Sequence, residues 1–397
     1  MRLAFNKRTA LSILRHLRTG QSQSRIFARR CNVPVPDASP WKRWVKSTFL
    51  RLEADLPFAL GSPPYSIAVP DAESRIRSTC CECTVYADGV PAGAFIDLGY
   101  GIAISSPELL FIELANDMDP VEHLMLGHEL CGSFARDAKD PYNGLAAYNI
   151  QPLTSTAKIA RFLASSKSIR GIDAARASLA RLNDNAWSPT ESLIASFLRL
   201  PIDCLGFDFG ELELNPRIDL AQPLPGAKTK RYPDIMIAGT PVGINYDGLV
   251  HLDLNSIVKT AMRMGAQPGS AQTEVEVNRA VANVREKALD DIRRNRELAI
   301  SGLSVLPVLK EDLYVPDGLE LVAMGLVKQL EKLTDKDMSI QRLVLENNVL
   351  SKVRYRTLLS LMPGKHERNL HICQRIGDLH LYECADEPGT SECWIEL

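Results

Sequence analysis

Tyr232-Pro233-Asp234-Ile235-Met236-Ile237 and Val242-Gly243-Ile244-Asn245-Tyr246-Asp247-Gly248 are the stretches on which the reading of this chain turns. Both are short apolar runs of strand length, and Ala238-Gly239-Thr240-Pro241 between them is turn chemistry at hairpin spacing. An acidic residue inside the first run must meet solvent, a partner or a metal, because a buried unpaired carboxylate is costly. Side chains alternate along a strand, so residues 245 and 247 share a face, and a hairpin would bring Asp234 to the same end of the sheet.

Working outward, Ser188-Pro189-Thr190-Glu191 is a capping box opening a helix whose buried stripe is Leu193, Ile194, Phe197 and Leu198. A strand is expected at Arg217 to Ala221, followed by a Pro-, Gly- and Lys-rich loop. Beyond the hairpin, the pattern predicts a long helix from Glu274 to Ile300, carrying Val277, Val281, Val284, Ala288 and Ile292 and closed by Gly302. Leu303 to Leu309 then reads as a strand that Pro307 pushes toward a sheet edge. Helix, three strands, helix, strand is an α/β order with a mixed sheet.

Upstream, Ser106-Pro107-Glu108 starts one helix, Pro120 to Leu130 forms another, and helical pattern runs from Ser155 to Leu182 with a break at Gly171. No nucleophile elbow, phosphate loop or repeat occurs there, so this region reads as scaffold or as a surface for a protein partner. Downstream, Pro316 to Leu361 predicts two amphipathic helices, the first with Leu319, Val322, Leu326 and Leu330 and the second with Leu343, Leu345, Leu350 and Val353. Arg342, Lys352, Arg354 and Arg356 make the second one basic, fit either to pack or to touch DNA backbone. The expected divisions are a basic helix and linker at 1–50, an α/β region at 51–186, the informative module at 187–315, and C-terminal helices with a tail at 316–397.

The 397 residues are 45% hydrophobic and 24% charged, which excludes collagen-like, coiled-coil and wholly disordered chains. With 46 basic against 48 acidic residues, any DNA contact must be regional. No apolar run approaches the ~18 residues of a membrane-spanning helix, and nine cysteines without a compact framework suit a reducing, cytoplasmic setting. Between Met1 and Pro36 there is no acid but eight arginines and lysines. That stretch reads as a DNA arm, a transit peptide, or a solvated basic helix docked through Leu11, Ile13, Leu14 and Leu17. Cys80, Cys81 and Cys83 lack a second pair at zinc spacing. His371, Cys373, His380, Cys384 and Cys393 match no zinc module, and His123 and His128, five apart, miss the helical i, i+4 pairing and read as surface or satisfied histidines.

The module resembles the PD-(D/E)xK nuclease superfamily, in the branch related to very-short-patch repair endonucleases. That branch has a Glu-x-Asp-Gly strand ending, a His three residues beyond the Gly, and a later helix of the form Asp-x-x-Arg-x-x-x-Leu-x-x-x-Gly-x-x-Val. Here stand Asn245-Tyr246-Asp247-Gly248, His251, and Asp291, Arg294, Leu298, Gly302 and Val305, with Glu191 as the helical acid before the sheet. The resemblance implies a restriction-endonuclease-like αβββαβ domain acting on DNA, with Mg²⁺ held by Asp234 and Asp247. Glu191, His251 and Asp291 would serve as outer ligand, proton-transfer group and supporting acceptor, and Arg294 would accompany Asp291.

Asn245 departs from the pattern, replacing the metal-binding Glu by a neutral amide that cannot act as a base. The upstream half, with Ser106 to Phe111 and Gly127 to Gly132, is similar to a group of uncharacterised bacterial proteins and loosely to an abortive-infection antitoxin, a bacterial defence context. Each residue also has a structural reading: Glu191 as cap, Asp247-Gly248 as turn, Asp291 with Arg294 as a surface ion pair. The rival to a nuclease is a catalytically silent DNA-binding or antitoxin-like regulator.

Overall fold

The computed structural model describes residues 3–19, 30–31, 61–99, 102–166, 168–220, 228–247 and 271–363. Its first half contains β1 (Leu3–Phe5), α1 (Lys7–Thr19), β2 (Arg30–Cys31), β3 (Tyr65–Val69), β4 (Cys81–Val85), β5 (Phe95–Gly99), β6 (Ile102–Ser105), α2 (Pro107–Leu114) and α3 (Pro120–Cys131). The strands form a six-stranded mixed sheet in the order β2-β5-β6-β1-β3-β4. Strand β1 lies inside it, parallel to β6 with Phe5 opposite Ile104 and antiparallel to β3 with Phe5 opposite Ile67. Interior strands covered on both faces read as unbroken apolar runs, and β3 and β6 are buried at every residue.

Of the three readings of the N-terminal stretch, helix α1 takes the docked one. Its apolar side packs as foreseen, but two of its arginines are internal as well. Arg15 makes a two-pronged contact with Glu129 on α3, at 2.8 Å from Nε and 2.6 Å from Nη2. Arg18 donates to the carbonyls of Glu129, Phe134, Gly132 and Gln151 at 2.7–3.0 Å. Arg15 and Arg18 thus find their partners across the fold, whereas Arg8 on the same helix is exposed. The Gly127-to-Gly132 motif is explained by the same packing. A Cβ at Gly127 would lie 2.7 Å from the Leu182 side chain, and one at Gly132 would strike the Ala186 carbonyl oxygen. Both histidines of α3 are buried, not surface: His123 Nε2 lies 2.7 Å from the Phe111 carbonyl oxygen, and His128 faces the interior.

After the two-stranded β7 (Phe134–Ala135) and β8 (Ala147–Tyr148) come α4 (Thr156–Ser165), α5 (Ile172–Leu179) and α6 (Pro189–Arg199), with Gly171 breaking the helical run as expected. A second sheet is then built from β9 (Leu212–Leu214), β12 (Ile235–Ile237), β13 (Val242–Asp247) and β14 (Ser304–Leu309), in the order β14-β13-β12-β9. The strand foreseen at 217–221 is not part of it. Ile218–Asp219 (β10) pairs with Lys230–Arg231 (β11) in a separate ribbon, and the true outer strand is β9, Leu212-Glu213-Leu214, whose alternation buries both leucines. Helix α7 (Ala271–Ile300) crosses over to β14, which runs parallel to β13 at the sheet edge, where Pro307 is tolerated.

The remaining helices are α8 (Lys310–Tyr314), α9 (Gly318–Leu333), α10 (Ser339–Leu345) and α11 (Asn348–Leu361), the last three filling 316–361 where two were expected. Helix α9 buries Leu319, Leu326 and Leu330 as foreseen, whereas Leu343 is 69% and Val353 40% exposed. Arg354, on the helix expected either to pack or to touch DNA, packs with no exposed surface; it donates to Glu320 at 2.6 Å and the Leu205 carbonyl at 2.7 Å and stacks over Phe207. Val242 and Ile244 turn toward the core shared with α6 and α9, and the opposite face of β13 looks toward α7. One apolar core runs from β1 through α3 and α6 to α11, across the positions 186 and 315 where divisions were expected; the one at 50 lies outside the described residues. The architecture is mixed α/β, and no helix among the described residues is long and apolar enough to cross a membrane.

Candidate functional site

The register pairs Ile235 with Ile244 and Met236 with Gly243, so one step further Asp234 stands opposite Asn245. At that step side chains replace the main-chain ladder. The Asp234 N–H donates to Asn245 Oδ1 at 3.2 Å, and Asp234 Oδ2 accepts the Tyr246 N–H at 2.6 Å. The Asn215 N–H, arriving from the end of β9, donates to the Asp234 carbonyl at 2.9 Å. A half-buried carboxylate is thereby fixed where two antiparallel strands part.

Asn245 is fully buried and donates through Nδ2 to Asn295 Oδ1 at 3.0 Å. Asn295 lies one turn beyond Asp291 on α7, where Arg294 Nη2 sits 3.4 Å from Asp291 Oδ1 in a half-buried i, i+3 ion pair. The amide standing in for the expected Glu thus ties the strand pair to α7. A carboxylate could accept from Asp234 but could not donate to Asn295.

Glu191 proves to be both cap and neighbour of Asp234. Ser188 Oγ accepts the Glu191 N–H at 3.1 Å, while the carboxylate reaches back to the Trp187 N–H at 3.2 Å instead of to Ser188. Its Oε1 also accepts from Asn215 Nδ2 at 2.6 Å. Burial, reinforced by the charge of Asp234, pushes this carboxyl well above the usual carboxylate range, and three hydrogen bonds oppose the shift without cancelling it. At neutral pH the pair resists carrying two negative charges.

Several supporting residues escaped the sequence reading. Asn185 and Asn215 both take left-handed backbone conformations, which Asn tolerates better than most residues. Asn185 Nδ2 donates to the Leu214 carbonyl at 3.0 Å and Asn215 Nδ2 to the Asn185 carbonyl at 2.9 Å, strapping the entrance of α6 to β9. Turn-type asparagines bracketing a helix and a strand were the available signal. Arg231, buried on β11, donates to Glu297 at 2.5 Å and Asp290 at 2.9 Å, fastening α7 to the ribbon three residues before Asp234. Trp187 and Tyr232, both partly exposed, set their rings 5.5 Å apart at this same rim.

The structure therefore brings Asp234, Glu191, Asn245 and, through Asn295, the Asp291–Arg294 turn into one neighbourhood. Asp247 ends β13 opposite Leu309; its side chain, His251 and the C-terminal cysteine and histidine group lie outside the described residues. Among the described residues no three His, Cys, Asp or Glu side chains gather into a ready metal-binding group. The donors around Asp234 are hard oxygens, two carboxylates and an amide, of the kind Mg²⁺ takes while keeping several waters. No protein family, curated protein or solved structure matched the chain in comparison.

Proposed function

We propose that residues 187–315 form a restriction-endonuclease-like domain that hydrolyses DNA phosphodiester bonds with Mg²⁺. The observation that carries this reading is Asp234, fixed opposite Asn245 where β12 and β13 part, beside a buried Glu191 whose carboxyl is driven toward its neutral form. A divalent cation is what would relieve that repulsion, so the residues present fit the ion. Asp234 and Asp247 would hold it, with Glu191 as outer ligand, and it would supply polarisation of the phosphoryl oxygen. Asn245 adds no charge, so affinity for the metal is weaker than with the Glu of the resembled family, and turnover is slow. His251 is assigned proton transfer; Asp291 and Arg294 support the site through α7.

The test is nicking of supercoiled plasmid with Mg²⁺ or Mn²⁺. Wild type nicks only with metal, and Asp234→Asn, which retains an acceptor for the Tyr246 N–H, loses the activity by on the order of 10²-fold or more. Equal rates in the two proteins, or no metal-dependent nicking at all, rejects the enzyme. One observation favours the silent regulator: both polar atoms of Asn245 are engaged internally. In that case plasmid is bound at low salt but not cut by wild type, and Asn245→Glu gains cleavage.

A further inference from the structure

Away from this site, the first half of the chain carries a cleft of about 340 Å³ between α4 and the turn preceding β5. Lys158, Arg161 and Phe162 face it from α4, at the i, i+3, i+4 spacing that places side chains on one side of a helix. Arg30 and Glu108 line the other wall. The Arg30 guanidinium is set in place: Nη1 donates to Glu108 Oε2 at 3.0 Å and to the Gly93 carbonyl at 3.4 Å. Glu108 is itself buried and held through Oε1 by the Thr154 hydroxyl at 2.7 Å, so it serves as the anchor of Arg30.

The charge count is unequal. Three cations meet one carboxylate, and among the described residues no acid pairs with Lys158 or Arg161. Burial works against the charge of Glu108, but Arg30 and the hydrogen bonds hold its carboxyl below the ordinary range, so the wall keeps that single negative charge. A net charge of about +2 is the complement of a phosphate dianion, which carries about −1.5 to −2 near neutral pH. The fork of an arginine suits phosphate oxygens, with a lysine as a point charge beside it. Phe162, a core residue only 9% exposed, floors the cleft, and the volume is near the lower end of small-molecule pockets.

We propose that this cleft binds a small molecule through a dianionic phosphate group seated among Arg30, Lys158 and Arg161. The site is separate from the hydrolytic reading and does not depend on it. The test is calorimetric titration of the full chain with adenosine 5′-monophosphate, inorganic phosphate and adenosine. The monophosphate saturates and adenosine does not. Inorganic phosphate binding as tightly as the monophosphate assigns the site to free phosphate; weaker binding assigns it to a phosphomonoester. The double variant Lys158→Ala, Arg161→Ala, which alters two exposed side chains, melts at the wild-type temperature and weakens binding by about tenfold or more. Asp234→Asn binds like wild type, which separates the cleft from the strand-end carboxylates. Failure of both phosphate compounds to saturate, or unchanged affinity in the double variant, overturns the proposal.

Discussion

Replacing Arg18 by Met lowers unfolding stability by about 4 kcal/mol, seen as a fall in the urea midpoint at unchanged slope. Three buried carbonyl oxygens, and the less buried one of Gln151, accept from this guanidinium, and a buried acceptor left without a donor costs about 1–3 kcal/mol. Burial draws the Arg18 pKa down to about 10, still high enough to keep the group charged at neutral pH. Lysine rescues the loss incompletely, because a compact ammonium cannot fork to four fixed oxygens. Arg8→Met, at an exposed position of the same helix, changes stability by less than about 0.5 kcal/mol. Were α1 a nucleic-acid arm, Arg18→Met would instead leave stability alone and flatten the salt dependence of DNA binding.

The second large effect is a pH dependence carried by His128. Burial lowers its pKa from the ordinary 6.5 to about 4; the backbone of Ser192 on α6 slightly favours the charged ring, and neither ring nitrogen has a hydrogen bond of normal geometry. Between those two values the unfolded chain takes up a proton that the folded chain refuses. Stability due to this group is therefore complete above about pH 6.5 and is lost as pH falls toward 4, by about 3 kcal/mol at 1.36 kcal/mol per unit.

Glu113, fully buried with its carboxyl raised to about 7, acts in the opposite sense and stabilises the fold as pH falls. The contribution of His128 is thus read as a difference. His128→Leu, of similar volume and without a polar atom to bury, is within about 1 kcal/mol of wild type at pH 7 and gains about 3 kcal/mol over it by pH 4. Parallel stability curves for the two proteins over that range would refute the assignment.

The second sheet was largely legible because its signals are local. Turn residues at 238–241, a proline at an edge position and a capping serine at 188 each act within a few residues, and the strands and helices formed where they point. Strand β9 escaped notice because three residues make a weak pattern, although Glu-Leu-Glu-Leu does alternate. The arginines were misread for a different reason. A run of basic residues reports what the local chain lacks, whereas Arg15, Arg18 and Arg354 find their partners more than 30 positions away. Of the candidate site, Asp234 was legible as an acid within an apolar run, although it stands one residue before β12, and Glu191 was legible as a helix cap. The site was not legible at Asn215 or Asn295, whose roles exist once β9 and α7 have been brought to the same strand end.

The placement of β1 has a consequence for biosynthesis. Leu3–Phe5 leaves the ribosome ahead of both its neighbours, yet its parallel partner Ile102–Ser105 follows about a hundred residues later. Translation at roughly 5–20 residues per second leaves that strand waiting several seconds without its mate. Nascent chains stalled before residue 102 should expose the apolar Leu3–Phe5 strand to holdase chaperones, and release should coincide with the emergence of β6.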